Sequence, residues 1–416
     1  MYGDATQRET ATGNYSSYLN LIKVDLSQIE IPSGVALEDG LDEGEAISLA
    51  LANNADFQVA LSQMNIDQAD LLQARQWSNP IFSLIFPYGP RQWEMVASMP
   101  LHELWIKPQR KATEGMKSEA NVQSIVASGL DLVRDVRLGL IDVEKNQKLI
   151  ERTEASANAQ GALVHHLESR NQLGLVDFRM IAQAKQVLLK FEISQASFEA
   201  DRNAANSRLR NLIGLSEYPG SLTFHPIDRS TSPVLDAEKR KSVALDSRPD
   251  YRAAELELEA AAREQGIVRS EFYSIIGKLD VDFPNGNGKV APGLDIPLPI
   301  FNQGKASNKR AQAIWRQKAA RFSSVRHRVF SEVDIALENY SASDIQLRII
   351  QSELIPSMEA ELSRLQDALD ENLIDASNFI QAQLDLIGAQ SQMDQVRALF
   401  LVAIVELEWA TGSKAQ

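Results

Sequence analysis

Two hydrophobic periods alternate along this chain, one helical and one with the two-residue repeat of a strand. Residues 43–77 fit a first helix that Pro80 stops, and residues 107–171 fit a single helix of about 65 residues, roughly 97 Å at 1.5 Å per residue. Val133, Val136, Leu140, Val143, Ile150, Ala157 and Val164 form its apolar stripe. Between the two helices, residues 81–86 and 92–99 flank Pro87-Tyr88-Gly89-Pro90 and predict a hairpin spanning 80–101. Gly174 breaks the long helix, and a return helix over 177–213 opens on Asp177 as its N-cap and closes at Gly214.

The same order of elements then recurs. Ser48, Ala50, Leu51, Asp56, Phe57 and Ala60 are matched by Ser242, Ala244, Leu245, Asp250, Tyr251 and Ala254, a shift of 194 (250 − 56). Farther on, Leu175, Val176 and Asp177 match Leu373, Ile374 and Asp375 at a shift of 198 (375 − 177). The predicted organisation is an N-terminal extended strap over 1–42, repeat 1 over 43–217, a linker over 218–236 rich in proline, repeat 2 over 237–412 and a short tail over 413–416. Repeat 2 reads as a helix from 237 to about 272, a hairpin over 274–298, a long helix over 305–371 and a return helix over 376–410.

The return helices carry the sharpest period. Phe379, Ala382, Leu386, Ala389, Met393, Val396, Phe400, Ala403 and Leu407 alternate spacings of three and four, the seam of supercoiled packing. Subtracting 198 gives Ile181, Ala184, Leu188, Phe191, Gln195, Phe198, Arg202, Ala205 and Leu209, the same seam with two polar interruptions. Narrow stripes of this kind suit a wall of helices better than a ball.

In the second hairpin, Ile275, Gly277, Leu279, Val281 and Phe283 fall on one face, opposite Lys278, Asp280 and Asp282. Val290, Leu294, Ile296 and Leu298 continue the apolar side, opposite Gly293 and Asp295. In the first hairpin Phe82, Leu84 and Phe86 are suited to face lipid, and Tyr88 and Trp93 sit near its tip, where amphipathic rings favour a membrane interface. The competing reading is a soluble hairpin capping a helical bundle.

Composition narrows the function. Aromatic residues make up 6% of the chain and the net charge is −14, a balance that favours long helices and disfavours nucleic-acid binding. The absence of cysteine removes disulfides, thiol catalysis and thiolate metal sites. No run reaches the roughly 20 apolar residues of a spanning helix, so any membrane crossing must use strands. No phosphate loop, nucleophile elbow or His-Glu-x-x-His pattern occurs, and the expectation is not an enzyme and no cofactor. His102, His165, His166, His225 and His327 show no ligand spacing, so no metal site is expected. Residues 1–18 lack a basic segment followed by an apolar core, so the chain is either cytoplasmic or a mature form without its leader.

Several motifs carry a family resemblance. Pro297-Leu298-Pro299-Ile300-Phe301-Asn302-Gln303-Gly304 after the fourth strand, Arg248-Pro249-Asp250 at the start of the second copy and the two Leu/Ile-Asp turns resemble the TolC family of outer membrane efflux proteins over about residues 43–412. Asn79-Pro80 and Pro90-Arg91-Gln92-Trp93 leading to Met99-Pro100-Leu101 are most similar to its heavy-metal cation branch.

The resemblance implies a mainly α, internally duplicated fold in a homotrimer. Long antiparallel helices form a periplasmic tunnel, and each chain gives four strands to a shared twelve-stranded β-barrel in the outer membrane. It implies a passive exit duct for cations, heavy metals or small drugs, working with a periplasmic adaptor protein and an inner membrane pump of the RND type. A soluble coiled-coil scaffold and a type I protein secretion duct stand as alternatives. The outer loops, 87–90 and 284–289, are shorter than the family pattern, so occlusion by long loops is not implied.

In the family the helix-to-helix turns close the resting channel and meet the adaptor. Here that assigns Leu173, Gly174, Leu175 and Asp177 in the first turn, and Asp367, Asp370, Glu371, Leu373 and Asp375 in the second. The acidic group suits an entrance that draws in cations, while Asp177 and Asp375 also sit where N-caps belong. Lys278, Asp280, Asp282 and Asp295 are assigned to the barrel lumen, and Phe82, Leu84, Phe86, Trp93, Leu279, Val281 and Phe283 to the lipid face.

Overall fold

The computed structural model describes residues 29–37, 39–86, 94–220, 222–227, 236–271, 274–282, 289–298, 300–301 and 303–412. Trp93, Phe283 and most of both hairpin tips lie outside the described residues. The first half runs α1 (Glu43–Asn53), α2 (Ala55–Arg75), β1 (Ile81–Ile85), β2 (Glu94–Pro100), α3 (Glu103–Gln172) and α4 (Phe178–Leu212). The second half runs α5 (Ala237–Ser247), α6 (Pro249–Glu271), β3 (Ile276–Asp282), β4 (Lys289–Asp295), α7 (Lys305–Ile349), a π-helical turn (Ile350–Leu354), α8 (Ile355–Asp370) and α9 (Ala376–Thr411).

The opening helix of each repeat, expected as one piece, is two. Asn54 leaves the helical region and its side chain accepts from the Phe57 N–H at 2.9 Å, which starts α2 afresh. Its amide also donates to the Leu212 carbonyl at 3.0 Å, so the break is anchored to the end of α4. Arg248 marks the matching break, where Pro249 takes the first position of α6 and brings the preset φ that a helix start prefers. Asp42 begins α1 with a capping box to Glu45.

The long helix begins at Glu103, earlier than expected, and extends 70 residues, roughly 105 Å at 1.5 Å each. Pro108 lies in its second turn. The counterpart rod in repeat 2 is interrupted by the π turn just before Pro356. Proline in a regular helix clashes with the carbonyl four residues back, and the wider π turn makes room for it.

The four strands form one antiparallel sheet ordered β1-β2-β3-β4. Its register pairs Phe82 with Ala97, Leu84 with Met95, Leu279 with Ala97, and Val281 with both Met95 and Val290. Directly opposed residues share a face, so Phe82, Leu84, Met95, Ala97, Leu279, Val281, Val290 and Leu294 make one continuous apolar surface. Strand β4 ends at Asp295, short of the expected 298, because Pro297 follows closely.

The core sits at the middle of the rods. Leu49, Val136, Leu140, Leu209, Ile213, Leu401 and Val405 meet there, joined by Leu41 from the strap and Ile227 from the linker. Leu41 pairs with Phe224 in a parallel bridge, its N–H donating to Thr223 and its carbonyl accepting from His225, both at 2.9 Å. Gly214 has φ of +73° and its α-carbon faces the Asn53 backbone so closely that a Cβ would lie 2.5 Å from it, which only glycine permits. Helix α3 packs against α4, α6 and α9, which interlocks the two repeats. Of the seam positions, Ile181, Ala184, Ala205 and Leu209 in α4 and Leu386, Ala389, Val396, Ala403 and Leu407 in α9 are buried.

Candidate functional site

Three regions place the residues singled out from sequence. The first is the sheet. Lys278, Asp280, Asp282 and Asp295 share the face opposite the apolar one, since Ile276 opposes Asp295 and Asp282 opposes Lys289. The Lys278 ammonium lies 2.5 Å from the Asp295 carboxylate, one strand away. Phe82, Leu84, Phe86 and Leu279 are exposed, an unusual arrangement for large apolar side chains in water. Among the described residues, the outer edges of β1 and β4 have no neighbouring strand within the chain. Among the same residues no helix is long and apolar enough to cross a membrane.

The second region is the pair of turns at the far end of the rods. Gly174 and Asn372, 198 residues apart (372 − 174), both adopt positive φ, +73° and +57°, to reverse the chain. Leu173, Leu175 and Leu373 project into solvent at 74%, 62% and 71% exposure. Asp177 caps α4 by accepting from the Arg179 N–H. Asp375 caps α9, accepting from the Ser377 N–H at 2.8 Å, and also receives His166 Nε2 at 3.0 Å and the Arg170 guanidinium from α3. Its charge is therefore neutralised locally, and Asp367, Asp370 and Glu371 remain exposed, with Asp370 accepting from Gln366 at 2.9 Å. The His166 to Asp375 link spans 209 residues, which no spacing rule along the chain would reveal.

The third region went unread in the sequence. Arg248, only 5% exposed, grips both oxygens of Asp250 at 2.9 and 2.8 Å and reaches Glu332 of α7 at 2.5 Å. Arg328 adds a third guanidinium hydrogen bond to Asp250 at 2.9 Å. Burial pushes the Asp250 carboxyl up, but hydrogen bonds and charge from Arg248, then Arg328, hold it below its ordinary value. Trp409 donates to Asp131 at 2.7 Å, and the guanidinium groups of Arg134 and Arg248 lie 4.4 and 4.7 Å from its ring centre. Nearby, burial raises the Glu406 carboxyl, opposed by Arg134 and reinforced by Asp135, Glu332 and Asp131. This network joins α3, α6, α7 and α9 at the middle of the rods. The Arg-Pro-Asp string was the available signal, but its partners come from distant segments. Among the described residues no group of three or more His, Asp or Glu side chains is placed to hold a metal ion.

No family model matches the chain. The solvent efflux pump outer membrane protein SrpC of Pseudomonas putida is 26% identical over 285 residues, covering 64% of this chain and 60% of SrpC. The toluene efflux pump outer membrane protein TtgC of Pseudomonas putida is 24% identical over 419 residues, covering 88% of this chain and 82% of TtgC. The chain thus spans 60% of the length of the first of these relatives and most of the second. Among solved structures, the outer-membrane channel OprN superposes with a TM-score of 0.74 at 16% identity, covering 89% of this chain and 90% of OprN. In fold the chain is TolC-like, and the curated proteins it resembles in sequence are outer membrane efflux proteins.

Proposed function

We propose that the chain is the outer membrane exit duct of a tripartite efflux system, acting as a homotrimer. One observation carries this reading: a four-stranded sheet with an exposed apolar face and two unpaired edges. In lipid an unpaired backbone edge costs several kcal/mol per group, so such a sheet must close. Three copies give twelve strands, an even-numbered barrel with the polar face of Lys278, Asp280, Asp282 and Asp295 turned to water. The rods, roughly 105 Å long, continue the duct into the periplasm.

The turn residues Leu173, Gly174, Leu175, Asp177, Asp367, Asp370, Glu371, Leu373 and Asp375 form the entrance that a periplasmic adaptor meets, and an inner membrane pump supplies the energy. The duct itself carries out no chemistry. Relatives named for solvent and toluene efflux favour small organic compounds over metal cations as cargo.

Reconstitution in planar bilayers tests the reading. The protein should form discrete conducting pores, and replacing the exposed Asp367, Asp370 and Glu371 with alanine should change cation conductance. Pores whose conductance and selectivity ignore that triple substitution would discard the charged entrance. A protein that never inserts would discard the duct.

A further inference from the structure

Directly beneath the sheet, the end of α2 and the start of α3 diverge and leave a cleft of about 510 Å³, within the size range of small-molecule sites. Charges of both signs line it: Glu103, Lys107, Arg110 and Glu114 lie along α3, and Asp70 comes from α2. The Lys107 ammonium lies 3.6 Å from the centre of the Trp77 ring. Glu103 accepts from the Ser78 hydroxyl and, at 3.1 Å, from its N–H, and these bonds hold its carboxyl below the ordinary value, so it stays anionic.

The surroundings are apolar in an unusual way. Trp77, Leu104, Trp105, Ile300 and Phe301 are all exposed, Phe301 at 99%, and together they ring the base of the sheet. Tryptophan at this level marks a membrane interface. Lys107 lies roughly 10 Å down the helix axis from the strand end, and a headgroup layer is roughly 5–8 Å thick. Side chains on a helix tilt toward its N-terminus, and the N-terminus of α3 points at the sheet, so Lys107 and Arg110 reach up toward that layer.

From this juxtaposition we infer that the cleft binds the headgroup of a zwitterionic phospholipid with a primary amine, phosphatidylethanolamine, from the periplasmic leaflet. The phosphate pairs with Lys107 and Arg110, and the ammonium donates to the Glu103, Asp70 or Glu114 carboxylates, a contact that a quaternary ammonium cannot make. The lipid thereby fastens the helical tunnel to the membrane at the point where strands give way to helices. This inference rests on the outer membrane reading above.

The test uses the whole assembly in nanodiscs containing phosphatidylethanolamine, phosphatidylglycerol and phosphatidylcholine in equal amounts. After extraction into mild detergent, the lipids retained per protein are identified by mass spectrometry. The unmodified protein should retain phosphatidylethanolamine preferentially. Lys107→Ala with Arg110→Ala should weaken that retention about tenfold, the loss of one charge-assisted contact or more, whereas Lys111→Ala should not. Equal retention of all three lipids, or retention unchanged by the double substitution, overturns the inference while leaving the duct intact. Trp77 fluorescence that responds to soluble phosphoethanolamine but not to the bilayer lipid would assign the cleft to a solute and also overturn it. Failure to enter the bilayer at all would strike the outer membrane reading instead.

Discussion

In the first repeat the rod α3 runs unbroken from Glu103 to Gln172 and packs its far end against α4, burying Leu163, Val164, Leu167, Ile181 and Ala184. In the second, the rod passes through a π turn, α8 buries no residue, and α9 buries nothing before Leu386. The tip of repeat 2 is instead held from outside, by His166 and Arg170 on Asp375 and by Ile380 resting on the cluster of repeat 1. At the middle of the rods the contrast takes another form, because the break at Asn54 rests on one neutral side chain that caps α2 and ties to Leu212, while the break at Arg248 is a buried ion network. A duplicated backbone plan is therefore fastened differently in its two copies: at the tip by apolar burial in the first and ion pairs in the second, and at the break by a neutral cap in the first and buried ion pairs in the second.

The largest expected effect lies at the breaks. Arg248→Ala leaves Asp250 and Glu332 without their buried partner and should cost about 3–5 kcal/mol, against about 1 kcal/mol for Asn54→Ala, as read by thermal unfolding of the detergent-solubilised protein. Because the Asp250 carboxyl is lowered on folding, its contribution is present above the ordinary aspartate value and lost as pH falls through the lowered one. The Arg248→Ala protein should show a shallower acid-side decline, with Arg328 alone left on Asp250. Equal costs at the two breaks would erase the contrast.

The tips come next. Leu167 is buried and its counterpart Leu365, 198 residues on (365 − 167), is half-buried. Leu167→Ala should destabilise by about 2–5 kcal/mol and Leu365→Ala by less than half as much. Matching costs would mean that neighbouring copies cover α8 in the assembly. Asp177→Ala removes only a cap, worth about 1 kcal/mol, whereas Asp375→Ala also frees His166 and Arg170. Hydrogen exchange over 355–385 should accelerate in the Asp375 variant, while the Asp177 variant should loosen only the first turns of α4.

The smallest effect is at Glu406. Its carboxyl is raised on folding, so ionisation weakens the fold as pH climbs past the ordinary glutamate value. Glu406→Gln should therefore stabilise modestly near neutral pH and make no difference well below pH 4 or so. A stabilisation that persists in acid would refer the effect to packing.

The features readable in the sequence were those with a fixed period. Alternation placed Leu279 and Val281 opposite Lys278 and Asp280, and the three-four spacing picked out Leu386, Ala389 and Leu407, because both depend only on local geometry. The breaks at Asn54 and Arg248 escaped notice because a cap residue within an otherwise helical pattern leaves the period almost undisturbed. The Arg248 network, the His166 to Asp375 tie and the cleft around Lys107 were invisible for another reason. Each joins segments far apart in the chain, and single residues carry no record of such partners.

Copies of the same chain in lipid seal the two free edges of the sheet in the proposed duct. Native mass spectrometry of the protein extracted into mild detergent tests it most directly. The protein should register as a trimer that aggregates when detergent is withdrawn. A stable monomer in detergent-free buffer, with Phe82, Leu84 and Leu279 shielded by its own helices, would contradict it.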